Sequence, residues 1–262
     1  MAKLTVSQIK QALLEVNDRS HEFLVTLAND ERKSVKKLLE QCHKRIQNQE
    51  LVYQEHQKRL NHEIAAYEAG YQVIAGLDEV GRGPLAGPVV VAAVVLPRDC
   101  QNLLVGVTDS KQVSHAKRLE FARQIREVAL DLKIVAIPPA IIDRDNIYQA
   151  TRQGMKAAVE ALNVKPDYLL LDAINIDSDL SQESLVKGDQ RSLSIAAASI
   201  VAKVYRDELM VQYGKTYPEF GFERNMGYGT KEHLDALDRV GYTPIHRRSF
   251  EPVKSMSKAY ES

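Results

Sequence analysis

The sequence predicts a mixed α/β sheet flanked by helices, with a small helical module before it and a helical C-terminal region after it. Three observations carry that expectation. Residues 1–69 contain neither proline nor glycine and repeat apolar residues at three- and four-residue steps, the period of an amphipathic helix. From Gly70 onward, β-branched apolar runs alternate with helix-periodic ones in the order β, β, α, β, α, β, α, the pattern of a sheet packed against helices. Two of the predicted strands, in IAGLDEV and YLLLDA, end in carboxylates, and open α/β sheets gather ligands at strand carboxyl ends.

Each element has a local reason. In the first 69 residues, Ile9, Leu13 and Val16 mark one helical face, and Val35, Leu38, Leu39, Cys42 and Ile46 mark another, a helical module or hairpin expected to join the rest at EAGYQ. YQVIAGLDEV and PVVVAAVVL are β-rich runs separated by the Gly/Pro cluster GRGPLAGP, a connection short enough for antiparallel neighbours. SHAKRLEFARQIREVAL follows as a helix with Ser114 as N-cap and Leu119, Ala122, Ile125 and Ala129 on one face. DLKIVAIPP reads as a strand stopped by prolines, DNIYQATRQGMKAAVEAL as a helix, DYLLLDA as a strand, and SLSIAAASIVAKVYRDELMVQY as a long helix. The alanine and serine in that last helix suit close packing on the sheet. The domain boundaries expected are 1–69 for the helical extension and 70–262 for the main domain.

Composition narrows the function classes. Among 262 residues, 35 are Lys or Arg and 35 are Asp or Glu, so the net charge is zero and no global field draws the protein to nucleic acid or acidic membranes. Any such binding must come from a local patch. The two cysteines, Cys42 and Cys100, have no metal-type spacing and read as reduced thiols. The start MAKLTVSQIKQALLEV has neither a signal-peptide core nor an Arg-rich transit pattern, and no run approaches the ~18 apolar residues of a membrane span. A cytoplasmic monomer without membrane contact is expected.

Asp78 and Glu79 interrupt an apolar strand. Adjacent strand residues point to opposite faces, so one should face the packed side, where an ionised carboxylate is costly unless partnered. If the IAGLDEV and YLLLDA strands are neighbours, Asp172 joins them, and three carboxylates in one corner raise at least one pKa unless a cation sits among them. Oxygen-only donors suit Mg²⁺ or Mn²⁺. Asp172 taken alone reads better as a helix cap or turn former than as a ligand. The following Gly81, Arg82 and Gly83 supply backbone donors and a cation for a phosphate; with no Gly-Lys-Ser/Thr, this is not a P-loop. Acids beside an anion-binding loop point to metal-assisted phosphoryl chemistry.

Six motifs, GLDEVGRGPLAGPVVVAAVVL, VTDSKQVS, YLLLDA, VKGDQRSLSIAAASIVAKVYRDELM, GYGTKEH and TPIHRRSFEPV, stand in the order found in bacterial ribonuclease HII, and the sequence resembles that family over residues 72–253. The related ribonuclease HIII typically carries Gly-Thr-Gly where this chain has GRG, and it would incise poorly at a single embedded ribonucleotide. The resemblance says little about the first 69 residues. It implies a ribonuclease H-like sheet and a catalytic, metal-binding set of Asp78, Glu79, Asp172 and Asp189, with two Mg²⁺ or Mn²⁺ ions. Asp207 competes for the fourth place, but an ion pair with Lys203 four residues earlier is its simpler role.

The activity implied is hydrolysis of the RNA strand of RNA–DNA hybrids and incision 5′ of ribonucleotides embedded in duplex DNA, in ribonucleotide removal and replication-associated clearance. Gly81, Arg82, Gly83 and Tyr228 are implied in reading the 2′-hydroxyl and the following sugar, although GYGT alone reads equally as a turn with a core tyrosine. Lys111 is a candidate phosphate contact or a solvated lysine, and His233 reads as structural. The C-terminal run with Arg239, Arg247, Arg248, Lys254 and Lys258 is the expected duplex-backbone patch. A non-catalytic hybrid binder is the competing class; clustered acids beside phosphates give a binder nothing.

Overall fold

The structure, a computed structural model, describes residues 4–261, with side chains to residue 257, so Lys258 of the expected basic patch lies outside the described side chains. Packing divides the chain into two units, Met1–Gln57 and Lys58–Ser262.

The first unit contains α1 (Val6–Glu15), α2 (Glu22–Leu27) and most of α3 (Lys33–Arg59). Thr5 and Gln8 form a reciprocal capping box at α1, satisfying two otherwise orphaned donors. The expected stripes meet in one cluster that holds Ile9, Leu13, Val16, Val35, Leu39, Cys42 and Ile46, together with Leu24 and Leu27 from α2. Both cysteines are buried and free.

The second unit begins with α4 (Asn61–Glu68) and continues through β1 (Ile74–Val80), β2 (Val89–Val95), α5 (His115–Val128), β3 (Asp131–Ile137), α6 (Pro139–Asp145), α7 (Ile147–Ala161), β4 (Tyr168–Asp172), β5 (Ser181–Leu185), α8 (Gly188–Arg191), α9 (Leu193–Thr216), α10 (Phe222–Asn225), α11 (Lys231–Val240) and α12 (Val253–Glu261). Helix α4 is tied to this unit by Glu63, whose Oε1 accepts from the Ser192 hydroxyl at 2.6 Å and from the Ser194 backbone N–H at 2.9 Å.

The strands lie in the order β3-β2-β1-β4-β5. The GRGPLAGP connection joins an antiparallel β1–β2 pair as expected, whereas β1 and β4 run parallel. Pleating divides the strand side chains between two cores. Val90, Ala92 and Val94 face α5 and α9, while Ala75, Leu77, Val91, Ala93, Leu169 and Leu171 face α7. By the same period-two rule Asp78 and Asp172 fall on the α9 side. Helix α9 comes close because β1 carries Gly76, where a Cβ would overlap the Ser194 backbone.

One local expectation differs, and two elements, α6 and β5, carried none. Leu119 is 41% exposed, and Phe121 takes its place beside Ala122 and Ile125 in the α5 core face. The prolines after β3 start α6, with Pro139 in its first turn, where a missing N–H costs nothing. Strand β5 has only Leu185 buried; its polar sequence SQESL carries no apolar alternation, as befits an edge strand.

Candidate active site

The carboxyl ends of the parallel neighbours β1 and β4 bring Asp78 and Asp172 side by side, and a third acid arrives from α8. One oxygen from each of Asp78, Asp172 and Asp189 lies within 4.8 Å of the others. Gly188 makes this approach possible: it packs with its Cα face toward Asp172, where a Cβ would sit 2.7 Å from Ile195 Cδ1, and its N–H donates to Asp172 Oδ1 at 2.8 Å. Asp78 is only 4% exposed. Its oxygen accepts the Glu79 N–H at 2.7 Å.

Burial pushes the Asp78 carboxyl well above the usual range, and the charges of Glu79, Asp172 and Asp189 push the same way. Asp189 rises to about 6 through burial, Asp109 and Asp172. Glu79 stands outside the three-oxygen cluster and lines the adjacent groove with Ser199 and Lys203 of α9. Burial raises it to about 7, opposed by Arg82 at 3.5 Å from its Oε1, and its Oε2 is buried without a hydrogen-bond partner. Oxygen-only donors, mutual repulsion and this orphaned oxygen together fit a hard divalent cation.

The glycine loop beside the acids is held from beneath. Gly81 has φ +91°, a conformation that favours glycine, and packs on Arg206. The guanidinium of Arg206 donates to the carbonyls of Pro88 at 3.1 Å, Met226 at 3.0 Å and Ala86 at 3.2 Å. Arg247 donates to those of Gly81 at 2.5 Å, Arg82 at 2.9 Å and Gly87 at 2.9 Å. The expectation that Arg247 contacts duplex backbone is therefore corrected: it is fully buried, and its Nε, Nη1 and Nη2 all donate to loop carbonyls. Burial lowers both guanidinium pKa values, that of Arg247 further through Arg206.

A groove of about 300 Å³ opens between this loop, Glu79, Ser110, Lys111, Lys203 and Tyr228. Tyr228 is 48% exposed, and its ring edge lies 3.7 Å from where a Gly83 Cβ would be. Lys111 is exposed and near enough to lower the pKa values of Glu79 and Asp189. Arg248 is exposed, but its backbone N–H is engaged by Asp143 at 3.0 Å, and its side chain is not among the groove residues. Asp207 pairs with Lys203 at 2.6 Å and Arg118 at 3.3 Å, outside the acid cluster, and His233 is buried in a packed cluster.

Sequence reasoning missed Lys203, Arg206 and Asp109. The first two belong to a polar stripe in α9, Ser199, Lys203, Arg206 and Asp207, at three- and four-residue steps after the apolar first turns of the helix. Asp109 accepts the Lys111 N–H at 2.9 Å and sits beside Asp189; no pattern in VTDSK distinguishes it from an ordinary turn.

Two family models match the chain: ribonuclease HII over residues 75–253 and the ribonuclease HII N-terminal domain over residues 5–67. Among similar proteins, ribonuclease HII of Enterococcus faecalis is 51% identical over 98% of this chain and 100% of its own. That of Halalkalibacterium halodurans is 50% identical over 96% and 95%. The crystal structure of ribonuclease H2 from Pyrococcus horikoshii OT3 superposes with a TM-score of 0.63 at 25% identity, covering 73% of this chain and all of that one.

Proposed function

We propose, from the premise that this chain belongs to the ribonuclease HII family and is a ribonuclease H acting on RNA–DNA hybrids, that it also incises duplex DNA on the 5′ side of a single embedded ribonucleotide. The observation that carries the reading is the convergence of three acid oxygens within 4.8 Å beside a glycine loop whose carbonyls are turned inward to arginines. Asp78, Asp172 and Asp189, with Glu79 at the rim, would hold two divalent ions, Mg²⁺ or Mn²⁺, which when bound neutralise the scissile phosphate, activate a water and stabilise the departing oxygen. Hydrolysis then leaves a 3′-hydroxyl on one fragment and a 5′-phosphate on the other.

The remaining residues bind and select. Gly81 and Gly83 let backbone approach a 2′-hydroxyl closely, the group that separates RNA from DNA. Tyr228 offers its exposed ring to the next sugar, where a 2′-hydroxyl is disfavoured. Lys111 supplies a phosphate contact, and Arg248 a peripheral charge toward the duplex. Arg206 and Arg247, cationic with only neutral partners, add positive potential beneath the loop. We read the protein as a cytoplasmic monomer serving ribonucleotide removal and hybrid clearance in replication, with residues 1–69 as an extension to the catalytic domain.

The test is incubation of duplex DNA containing one ribonucleotide with the protein and Mg²⁺ or Mn²⁺. Nicking 5′ of the ribonucleotide is expected. Cleavage of long hybrids without that nick would refute the finer reading.

A further inference from the structure

A second polar cluster in this unit contains no carboxylate. His233 on α11 and His246 beyond it are 0% and 2% exposed, and their Nε2 atoms stand 2.9 Å apart. The partner of each remaining ring nitrogen has a fixed sense. His233 Nδ1 is 2.9 Å from the Tyr228 carbonyl oxygen, which can only accept, so that nitrogen carries the proton. His246 Nδ1 is 2.9 Å from the Thr243 backbone N–H and 2.8 Å from its hydroxyl; an N–H can only donate, so that nitrogen is bare. With both rings neutral, Nε2 of His233 must then be an acceptor and Nε2 of His246 a donor. That combination is the one that turns the contact between them into a hydrogen bond.

The result is a chain of hydrogen bonds, all in one sense, from the Thr243 N–H through both rings to the Tyr228 carbonyl. Phe220 and Phe222 pack on both rings, edge-on against His233 and tilted against His246. The chain has ends that matter. Tyr228 faces Gly83 across the groove. Residues 245–247 zip onto the glycine-loop connection, with the Gly87 N–H donating to the Ile245 carbonyl and the Arg247 N–H to the Leu85 carbonyl, both at 2.8 Å. One segment thus holds the loop through Arg247 and the tyrosine through His246.

We propose that His233 and His246 are positioning residues for ribonucleotide selection: their tautomer-locked pair sets the spacing between the Tyr228 turn and the glycine loop. The proposal rests on the reading of Tyr228 and the loop as the sugar-recognising surface. Neither histidine touches substrate. They act through the Tyr228 carbonyl.

Nitrogen-15 NMR of the imidazoles of the full-length protein tests the geometry first. His233 is expected as the Nδ1–H tautomer and His246 as the Nε2–H tautomer; the opposite tautomer at either ring overturns the proposal. The functional test compares kcat/KM on single-ribonucleotide duplex with kcat/KM on an all-RNA hybrid. His246→Phe keeps an aromatic ring beside Phe220 and Phe222 but removes the hydrogen bonds to Thr243 and His233, and is expected to lower that ratio roughly tenfold, the scale of a sub-ångström misplacement. His246→Gln, whose amide can accept from Thr243 and donate to His233, is expected to restore most of it.

Tyr228→Ala separates two failures. If it leaves the ratio unchanged, the sugar-reading assignment is wrong. If it lowers the ratio while His246→Phe does not, the role given to the pair is wrong and that of the tyrosine stands. A loss in His246→Phe that tracks only its melting temperature, and that glutamine does not reverse, also overturns the proposal. Should the phenylalanine variant not fold, the tautomers and the glutamine variant still decide.

Discussion

The acid cluster and the arginine–histidine cluster are neighbours around one loop and both are buried, yet they are built on opposite terms. Around Asp78, Asp172 and Asp189 like charges are forced together with few donors, and Glu79 keeps a buried oxygen with no partner. Around Arg206, Arg247, His233 and His246 each ring nitrogen and most guanidinium donors meet an oxygen or nitrogen at 2.5–3.2 Å. A fully satisfied polar network rigidifies its surroundings, whereas an unsatisfied one is costly and calls for something from outside. The second cluster is therefore the frame, and the first is the part that awaits cations.

Four changes break or sharpen that contrast. The largest effect belongs to Asp78→Asn. Activity in saturating Mg²⁺ is expected to fall by roughly 10²–10³-fold or more, the scale of losing one preorganised charge-stabilising group. The metal-free variant should nevertheless be at least as stable as the parent, because one of the clustered charges is gone; steady-state cleavage and urea denaturation check the two halves.

Next, Arg247→Ala attacks the frame. Several buried carbonyls lose their donors, and stability is expected to drop by about 3 kcal/mol or more. Arg247→Lys should recover little of it, since a point charge cannot span them.

The pH response follows from the acids. Glu79 is raised from 4.5 to about 7 and Asp189 from 3.8 to about 6. The folded metal-free protein thus holds protons that the unfolded chain releases near pH 4. The contribution of these two groups to stability is fully present below that pH and is lost as pH rises through 6 to 7. Divalent ion should bind more tightly over the same interval, because it must displace those protons. Denaturant midpoints across this range, with and without Mn²⁺, measure the decline and its expected flattening by metal.

The smallest effect is that of Arg248→Ala. As a peripheral charge it should reduce the slope of log affinity against log salt for hybrid binding by about 1 or less. An unchanged slope removes Arg248 from the interface.

Much of this was readable from residues in order. Continuous apolar runs located β1, β2 and β4, because strands packed on both faces bury nearly every residue, and Ser114 marked the start of α5. The carboxylates stood out because they interrupt such runs. Edge strand β5 and helix α8 carry too little buried apolar surface to leave a pattern. Arg247 was misread because a basic run reads the same whether its side chains face solvent or fold inward. Glu63 was placed with the extension by composition, although its hydrogen bonds belong to the start of α9.

By itself, the sequence determined the order of strands and helices, the acids available for metal and the glycine loop beside them, since these follow from local periodicity and residue chemistry. Only the tertiary structure decided that Asp189 rather than Glu79 completes the three-oxygen cluster, that Arg247 is a clamp, and that two histidines thirteen residues apart share one hydrogen bond. Those outcomes depend on the parallel pairing of β1 with β4 and on the return of residues 245–247 to the loop, and non-local geometry of that kind leaves no trace in residue spacing.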